Sequence, residues 1–454
     1  MREVEVSPAE AGLAVILAAG EGSRLAADGG RPKPLTPVLG LSLGERVVCG
    51  YLRGLGVRRF LVVLGHAAEA VRAHFTDIAR RRGVEIEFVT AEDWRLGNGA
   101  SALAARGRTG EGPFHLAMCD HLFDPEIAAA LARQVPGPGE VRLAVDRDKA
   151  GLFDVADATR VRLEAGRIVE IGKGLARWDA ADVGLLLCTP ALFDGLERAA
   201  AEGRHGLADG VAVLAADGRA GAVDVTGLSW LDVDTPAALR EAESRLFRRE
   251  AGKAGDGPVS RYLNRPVSRL LSRRLVRWPV TPNQISVAAW LLACLAAVLF
   301  ALGGYPQLAI AGVIAQAASI IDGCDGEVAR LKEMECSFGG WFDAVLDRYA
   351  DAFLLFGLTW HVFAPSGDPA VLTVGFAAIL GSFMNSYTAD KYDRLMARRI
   401  RAGSGLRIGR DVRVLLIAVG AILDLPFQTL GLIAVVMNLE VMRRIYLCRP
   451  GAAV

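Results

Sequence analysis

The hydrophobic and polar positions follow different patterns in the two halves of the chain. In residues 1 to about 250, short apolar runs such as LAVILAAG, RRFLVVLG and VEIEFVT alternate with polar, helix-like segments. Continuous apolar runs of this length are typical of strands buried on both faces of a sheet, and their alternation with helices predicts a doubly wound α/β sheet. Residues 157–175 add an alternating hairpin, and residues 179–188 add another buried strand.

Beyond residue 285 the apolar runs approach the length that spans a bilayer. An α-helix needs about 20 apolar residues to cross the hydrocarbon core. The pattern therefore predicts an all-α domain of six transmembrane helices near residues 286–303, 305–322, 338–363, 369–388, 411–425 and 427–443.

The basic residues predict the orientation of these helices. Six crossings that start from a cytosolic domain leave the arginine-rich connection at residues 389–413, together with Arg443 and Arg444, on the cytoplasmic side. This arrangement agrees with the positive-inside rule. We therefore expect a multi-pass protein of the cell membrane whose soluble domain and active sites face the cytoplasm.

Two segments connect the halves. Residues 249–258, REAGKAGDGP, combine glycine and charge with little apolar content, so we expect a linker between a domain at 1–248 and a domain at 259–454. Residues 259–278 predict an interfacial helix on an anionic leaflet, with a surface helix packed on the soluble domain as the alternative. Its apolar face consists of Leu263, Val267, Leu270, Leu271, Leu275 and Trp278.

Composition agrees with a chain divided into a soluble and a membrane half. Hydrophobic residues make up 52% of the chain and the mean hydropathy is +0.31, which is high for a soluble enzyme. The net charge of +1 gives no indication of a nucleic-acid partner. Seven scattered cysteines without a CxxC pair favour neither zinc ligation nor a disulfide framework, so we expect a reducing cytosol.

A glycine-rich loop follows the first apolar run, in residues 13–40. Gly20 and Gly22 let the backbone approach a ligand closely, and Arg24 and Lys33 can neutralise phosphate oxygens. The loop contains neither G-x-G-x-x-G nor a Walker A lysine. It resembles the L-A-A-G-x-G-S/T-R-L…P-K-P-L signature of nucleotidyltransferases that activate sugar and alcohol phosphates, through Leu17, Ala18, Ala19, Gly20, Gly22, Ser23, Arg24, Leu25, Pro32, Lys33, Pro34 and Leu35.

The resemblance implies a magnesium site in this half. Asp120 ends a buried strand at the position of the family's metal ligand, where Mg²⁺ bridges it to the nucleotide phosphates. Asp232 and Asp234 precede a Pro-initiated helix; one should complete the site while the other caps the helix. We favour Asp232 as the ligand.

The resemblance also implies positions for the substrates. Gly97, Asn98 and Gly99 correspond to a second loop over the pyrimidine base of CTP, with a plain loop as the alternative. Lys173 is the candidate contact for the acceptor phosphate, with a solvated surface charge as the alternative. Lys33 and Arg24 would stabilise an in-line displacement at the α-phosphorus, which needs no covalent enzyme intermediate.

Residues 321–351, IDGCDGEVARLKEMECSFGGWFDAVLDRYAD, place four carboxylates beside apolar segments. Asp322 and Asp325 recur at helical spacing, and Asp343 and Asp347 stand at i and i+4 on the next predicted helix. Unpaired anions at a membrane boundary are costly. The pattern therefore predicts compensation by divalent metal.

This segment resembles the CDP-alcohol phosphatidyltransferase signature at every fixed position: Asp322, Asp325, Gly326, Ala329, Arg330, Gly339, Asp343 and Asp347. The resemblance implies that Asp322, Asp325 and Asp343 ligate a pair of Mg²⁺ or Mn²⁺ ions. Asp347 would be a further ligand or, as we prefer, the general base. Gly326, Ala329 and Arg330 would contact the nucleotide.

Basic residues downstream of this motif form a further candidate site. Lys391, Arg394, Arg410 and Arg413 are expected at the cytoplasmic level, where they could bind the phosphate of the acceptor substrate. Charge that only sets the topology is the alternative.

The fused arrangement resembles the bifunctional enzymes that pair a CTP:inositol-1-phosphate cytidylyltransferase with a di-myo-inositol-phosphate-phosphate synthase. The resemblance implies CTP, inositol-1-phosphate and CDP-inositol as ligands, divalent metal in both domains, a lipid bilayer around a homodimeric membrane domain, and no nucleic acid. One alternative is a CDP-alcohol-dependent phospholipid synthase fused to a nucleotidyltransferase for another alcohol phosphate. The other is a nucleotide-regulated membrane scaffold without activity.

Overall fold

The computed structural model describes residues 12–25, 31–250, 257–396 and 409–449, apart from the side chains of residues 250 and 390–396. The chain divides into two compact units, Met1–Arg245 and Leu246–Val454. The expected linker at 249–258 falls partly outside the described residues.

The first unit is built on a nine-stranded mixed sheet. The strands of this unit are β1 Leu13–Ala18, β2 Pro37–Val38, β3 Leu41–Ser42, β4 Arg59–Leu64, β5 Glu85–Thr90, β6 Phe114–Met118, β7 His121–Phe123, β8 Val141–Asp146, β9 Arg160–Glu164, β10 Arg167–Gly172, β11 Ala180–Cys188, β12 Ala220–Asp224 and β13 Trp230–Asp232. The order in the main sheet is β5-β4-β1-β6-β11-β8-β12-β10-β9, and β7 pairs with β13 and β2 with β3 in two small additional sheets.

Parallel pairing brings two chain segments of the site to one edge of this sheet. Strand β1 lies between β4 and β6 and is parallel to both, with Ile16 opposite Val62 and Ala117. The carboxyl ends of β1 and β6 are therefore neighbours, as in other open α/β sheets that bind ligands at this edge. Strand β11 is antiparallel to β6, so the sheet is mixed rather than wholly parallel.

Helices cover both faces of the sheet. Alternate residues of β1 enter opposite cores: Ile16 packs with Tyr51 and Phe75, whereas Leu17 packs with Leu192 on the other face. Because both faces of β1 are buried, its sequence is a continuous apolar run. The helices are α1 Leu43–Leu55, α2 Ala68–Arg82, α3 Asn98–Leu103, α4 Pro125–Ala132, α5 Ala191–Ala201, α6 Leu207–Ala216 and α7 Pro236–Glu250, with 3-10 turns at Lys33–Leu35 and Trp94–Leu96.

The described residues of the second unit are helical. A π-helical turn at Ser260–Asn264 leads into α8 Arg265–Leu275, followed by α9 Pro282–Ala301, α10 Tyr305–Leu331, α11 Ser337–Ser366, α12 Pro369–Met396, α13 Arg410–Ile422 and α14 Pro426–Cys448. Three stretches are long and apolar enough to cross a membrane: Pro282–Ala301, Tyr305–Leu331 and Pro369–Ala389. The expected count of six spans therefore stays a prediction.

Helix α8 buries a different face from the one that its apolar residues suggest. Ser268 and Ser272 are fully buried, whereas Leu270 is more than half exposed. Small hydroxyl side chains allow α8 to lie close to α10, where Ser268 donates to Glu327 (2.9 Å). Leu271 and Leu275 pack against the protein, whereas the exposed Leu263, Val267, Leu270 and Trp278 are compatible with an interfacial helix.

Candidate active sites

The glycine-rich loop of the first unit closes over Lys33. Gly22 has φ +68°, a conformation that favours glycine, and a Cβ there would overlap the side chain of Lys33. Leu17, Ala18 and Ala19 are buried at the end of β1, whereas Gly20 and Ser23 are exposed. The loop thus leaves its backbone accessible above a buried lysine.

Lys33 connects the loop to the predicted metal ligands. Its side chain is 7% exposed, its ammonium group forms ion pairs with Asp120 and Asp234, and it lies 3.9 Å from Asp232. Burial alone would lower the pKa of Lys33, but the three carboxylates raise it above its usual value. Lys33 therefore remains a cation in the site.

The sequence motifs did not indicate His121 as a site residue, although it is adjacent to Asp120. Its Nδ1 lies 2.8 Å from Asp120 Oδ1 and 4.0 Å from Asp232 Oδ1, because β7 pairs His121 directly opposite Asp232 of β13. Burial would lower the pKa of His121, but Asp232 and Asp120 raise it to about 9. Trp230 stacks on the imidazole at 6.4 Å between ring centroids.

Both carboxylates at the start of α7 are available to the site. The capping hydrogen bond comes from Thr235, whose Oγ1 accepts from Ala238 N at 3.1 Å. Asp234 instead pairs with Lys33 and Arg24. Burial raises the pKa of Asp232 to about 6, and its Oδ1 is buried without a hydrogen-bond partner among the described residues.

Asp157 is a second residue that the motifs did not reveal. One carboxylate oxygen accepts from Arg24 Nη1 at 2.9 Å and the other pairs with Lys173. Arg24 and Lys173, predicted separately for the nucleotide and the acceptor, are thereby brought together. Asp157, Asp232 and Asp234 each offer an oxygen within 4.8 Å of one another.

The predicted base loop packs against another segment of the chain. Gly99 N donates to the carbonyl of His205 at 2.9 Å, and a Cβ at residue 99 would come within 2.7 Å of the Gly206 carbonyl group. Asn98 Oδ1 accepts from Leu207 N at 2.7 Å. The close packing accounts for the small residues Gly97 and Gly99 at this position.

A cavity of about 760 Å³ joins these elements, which is large enough for a nucleotide and a small phosphorylated alcohol. Its lining includes Arg24, Asn98, Asp120, Lys173 and Asp232. The structure therefore brings one predicted nucleotide contact (Asn98), both predicted metal ligands and the predicted acceptor contact of the first unit to one cavity, together with Arg24, whereas Gly20, Gly22, Lys33, Gly97 and Gly99 are not among its lining residues.

The carboxylates of the second unit converge from two helices. Asp322 and Asp325 of α10 and Asp343 of α11 each offer one oxygen within 4.8 Å of the others. Ser286 of α9 donates to Asp325 Oδ2 at 2.6 Å. We name Asp322, Asp325 and Asp343 the carboxylate cluster.

Asp347 is joined to the carboxylate cluster by Arg410. The guanidinium Nη1 lies 2.7 Å from Asp322 Oδ2 and 2.6 Å from Asp347 Oδ1. Asp351, one helical turn beyond Asp347, pairs with both Arg410 and Arg413. The sequence already contained a signal for Asp351, since residues 343, 347 and 351 repeat at i+4 along one face of α11.

The small and basic motif residues lie on the two helices that carry the carboxylate cluster. A Cβ at Gly326 would meet Arg330 Nη1 at 3.3 Å, and one at Gly339 would meet Asn283 Oδ1 of α9 at 3.6 Å. Ala329 lies between them in the chain, on α10. The side chains of Lys391 and Arg394 lie outside the described part of the structure.

The donor atoms in both sites fit a hard divalent cation. Carboxylate oxygens predominate, as Mg²⁺ and Mn²⁺ prefer. Asp232 Oδ1 in the first unit and Asp343 Oδ1 in the second are buried without a hydrogen-bond partner among the described residues. A buried, unpartnered carboxylate oxygen is costly unless a cation compensates it.

Comparison with known proteins defines the class of each unit. The MobA-like NTP transferase domain family matches residues 14–209, and the CDP-alcohol phosphatidyltransferase family matches residues 279–442. The chain is therefore an enzyme that joins a nucleotidyltransferase to a CDP-alcohol phosphotransferase, as predicted. Divalent metals are general in both families.

Relatives with the same two-part organisation define the family more narrowly. The bifunctional IPC transferase and DIPP synthase of Rubrobacter xylanophilus is 39% identical, covering 96% of this chain and 97% of the relative. The protein of that name from Aquifex aeolicus is 35% identical over 96% and 97% of the two chains. The chain belongs to this family of bifunctional IPC transferases and DIPP synthases, which confirms the predicted resemblance.

Among solved structures, the inositol-1-phosphate CTP transferase from T. maritima is similar to about half of the chain. It is 24% identical with a TM-score of 0.47, and the match covers 51% of this chain and 95% of the other.

Proposed function

We propose that the first unit makes CDP-inositol from CTP and inositol-1-phosphate, and that the second transfers inositol phosphate from CDP-inositol to another inositol-1-phosphate. The product is a phosphorylated di-myo-inositol phosphate, a precursor of a compatible solute. The observation that carries this proposal is the 39% identity to a bifunctional IPC transferase and DIPP synthase along nearly the whole of both chains.

In the first reaction, a phosphate oxygen of inositol-1-phosphate attacks the α-phosphorus of CTP. A new P–O bond forms, and the bond to pyrophosphate breaks. Arg24 and Lys33 neutralise the triphosphate, Gly97, Asn98 and Gly99 contact the pyrimidine, and Lys173 exchanges its contact with Asp157 for the acceptor phosphate. Asp120 and Asp232 would hold Mg²⁺, which supplies further charge neutralisation on the phosphates when bound.

In the second reaction, a hydroxyl of the acceptor attacks the β-phosphorus of CDP-inositol, and cytidine monophosphate leaves. Asp347 accepts the proton of the hydroxyl as general base. Gly326, Ala329 and Arg330 lie against the nucleotide, and Lys391 and Arg394 provide positive charge for the acceptor phosphate. Arg410 and Arg413, also predicted for that phosphate, are instead held by the carboxylates of Asp322, Asp347 and Asp351. Asp322, Asp325 and Asp343 would hold divalent metal, which stabilises the diphosphate charge when bound.

We further propose that the second unit spans the cell membrane six times as a homodimer, with α8 at the cytoplasmic interface and both sites facing the cytosol. The described residues between Pro282 and Cys448 form six helices, of which three contain long apolar stretches, and this supports the topology. The exposed Leu270 and Trp278 support the interfacial position of α8, since such residues bury in the headgroup region.

Phosphorus NMR of the full-length protein with CTP, Mg²⁺ and inositol-1-phosphate tests both steps. We expect pyrophosphate and CDP-inositol first, and then a water-soluble phosphodiester. D120N should abolish formation of CDP-inositol but leave transfer from supplied CDP-inositol within about twofold of wild type. D343N should do the reverse, with transfer reduced at least about a hundredfold, since each variant removes a ligand from one site only.

The alternatives predict different products in the same experiment. A phospholipid synthase would consume CDP-inositol, or another CDP-alcohol, only with lipid present, and the product would partition into organic solvent. A scaffold without activity would release no pyrophosphate with any alcohol phosphate. Either result would contradict the proposed pair of reactions.

A further inference from the structure

Asp351 is a buried carboxylate that the transfer chemistry described above does not use. Its side chain is 4% exposed and lies on α11, one turn beyond Asp347. Asp351 Oδ2 is 2.6 Å from Arg413 Nη2, and Oδ1 is 3.3 Å from Arg410 Nε. A buried carboxylate with two guanidinium partners is tightly constrained, because breaking such a pair leaves an uncompensated buried charge.

Arg410 carries this constraint to the carboxylates of the site. Its Nε faces Asp351, while its Nη1 reaches Asp322 and Asp347 at 2.7 and 2.6 Å. The guanidinium is a rigid plane, so a contact at Nε restricts the positions that Nη1 can take. Asp351 thereby helps to set the point at which Asp322 of α10 and Asp347 of α11 are held together.

Arg413 is a second buried cation that requires the carboxylate of Asp351. Its side chain is 3% exposed and its Nη2 donates to both Asp351 and Ser386. Without the charge of Asp351, Arg413 would be a buried cation without its carboxylate partner, and Arg410 would lose the contact that fixes its orientation towards Asp322 and Asp347. Both changes leave more uncompensated positive charge beside the carboxylate cluster, which weakens the binding of a divalent cation.

We propose that Asp351 is a positioning residue of the transfer site: it orients Arg410 so that the guanidinium holds Asp322 and Asp347, and it neutralises Arg413 behind them. The inference rests on the proposed transfer reaction. It assigns no contact with substrate to Asp351, so its removal should slow the reaction rather than weaken substrate binding.

The test compares D351N with E440Q in the full-length protein. Glu440 is a matched control because it is also buried and pairs with two arginines, Arg443 (2.7 Å) and Arg444 (3.0 Å), which both lie on α14 with it. Both variants remove one negative charge from a buried carboxylate in the same domain. Only Asp351 is joined through Arg410 to the motif carboxylates.

We expect D351N to lower kcat for transfer from CDP-inositol by about 10- to 100-fold, the usual effect of losing a residue that orients site ligands. In D351N, KM for either substrate should stay within about threefold of the wild-type value. The kcat of E440Q should stay within about twofold of wild type. D351E should recover part of the rate that D351N loses. Equal loss of kcat in D351N and E440Q, or wild-type kcat in D351N, would overturn the proposal.

A second readout does not depend on turnover. In a D120N background, which weakens the metal site of the first unit, Mg²⁺ should raise the melting temperature of the membrane domain by mass action. The Mg²⁺ concentration for half of this rise should increase at least about fivefold with D351N and stay unchanged with E440Q. An unchanged Mg²⁺ midpoint with D351N would refute the positioning role of Asp351. If D351N fails to fold, D351E provides the test. Its carboxylate lies one methylene further out, so its kcat and its Mg²⁺ midpoint should both change partway.

The two readouts separate this inference from the proposed function. Wild-type protein that transfers no inositol phosphate contradicts the proposed function, and the Mg²⁺ midpoints still decide the role of Asp351. Wild-type transfer combined with an insensitive D351N contradicts only the inference about Asp351.

Discussion

Ionisable side chains in this protein are held by partners that lie far away in the sequence. Lys33 pairs with Asp234, 201 residues later, and Arg410 with Asp322, 88 residues earlier. His115 differs, since its ring packs 5.5 Å from Tyr51 and its Nδ1 has no hydrogen-bond partner among the described residues. Its burial lowers the pKa of His115 to about 4.

His115 should make the stability of the first unit depend on pH. The unfolded chain protonates His115 near pH 6.5 and the folded chain only near pH 4, so stability is full above pH 6.5 and declines as the pH falls towards 4. From these values the decline at pH 5 is about 2 kcal/mol. Because His121 and Asp232 also titrate in this unit, the decline is measured as a difference: in urea unfolding of residues 1–245, the stability of wild type should fall by this amount relative to that of H115Q. Parallel pH profiles for the two proteins would contradict the assignment.

The motif residues could be predicted from the sequence, whereas several of the residues that contact them could not. Asp120, Asp232 and the four carboxylates at 322–347 stand in patterns with fixed local spacing, which can be read directly. His121 and Asp157 became visible only in the fold, because pairing between β7 and β13 and the loop before β9 bring them to the cavity. Their contributions depend on neighbours that no local pattern specifies.

At the scale of elements, close helix packing positions the carboxylate cluster. Helix α11 carries Asp343 and Asp347 and packs against α9 at Gly357, where an added Cβ would lie 3.1 Å from the carbonyl carbon of Ala297. Neighbouring backbone cannot move aside as a flexible side chain can. Small residues at such contacts are typical of membrane helices.

Gly357→Ala should therefore destabilise the second unit. Overpacking against backbone costs about 1–3 kcal/mol, which outweighs the gain of about 1 kcal/mol expected when alanine replaces glycine in a helix. Gly431→Ala in α14 is the control, because an added Cβ there meets nothing within 4 Å. Thermal unfolding in detergent should give a lower melting temperature for G357A and an unchanged or higher one for G431A. Equal melting temperatures would contradict close packing at Gly357.

At the scale of the whole molecule, each unit contains its own core and its own group of site carboxylates. The cavity lined by Asp120 and Asp232 belongs to Met1–Arg245, and the carboxylate cluster belongs to Leu246–Val454. Two consecutive reactions can therefore be catalysed by different molecules if the intermediate is released.

Mixing the two inactive variants tests this independence. D120N supplies an intact transfer site and D343N an intact cytidylyltransferase site, so the mixture should form the phosphodiester from CTP and inositol-1-phosphate after a lag. Phosphorus NMR should detect CDP-inositol during the lag. Accumulation of CDP-inositol without phosphodiester would mean that the two sites must reside in one chain.

The sequence by itself determined the two reaction types, the alternation of strands and helices in the first half, and the positions of the apolar helices. These depend on spacing within single elements and loops, which follows from strand and helix geometry. Only the tertiary structure decided that β11 runs antiparallel, that α8 buries its serines, and that Asp351 reaches the site through Arg410. Such features arise when packing brings distant segments together, and many local sequences are compatible with each of them.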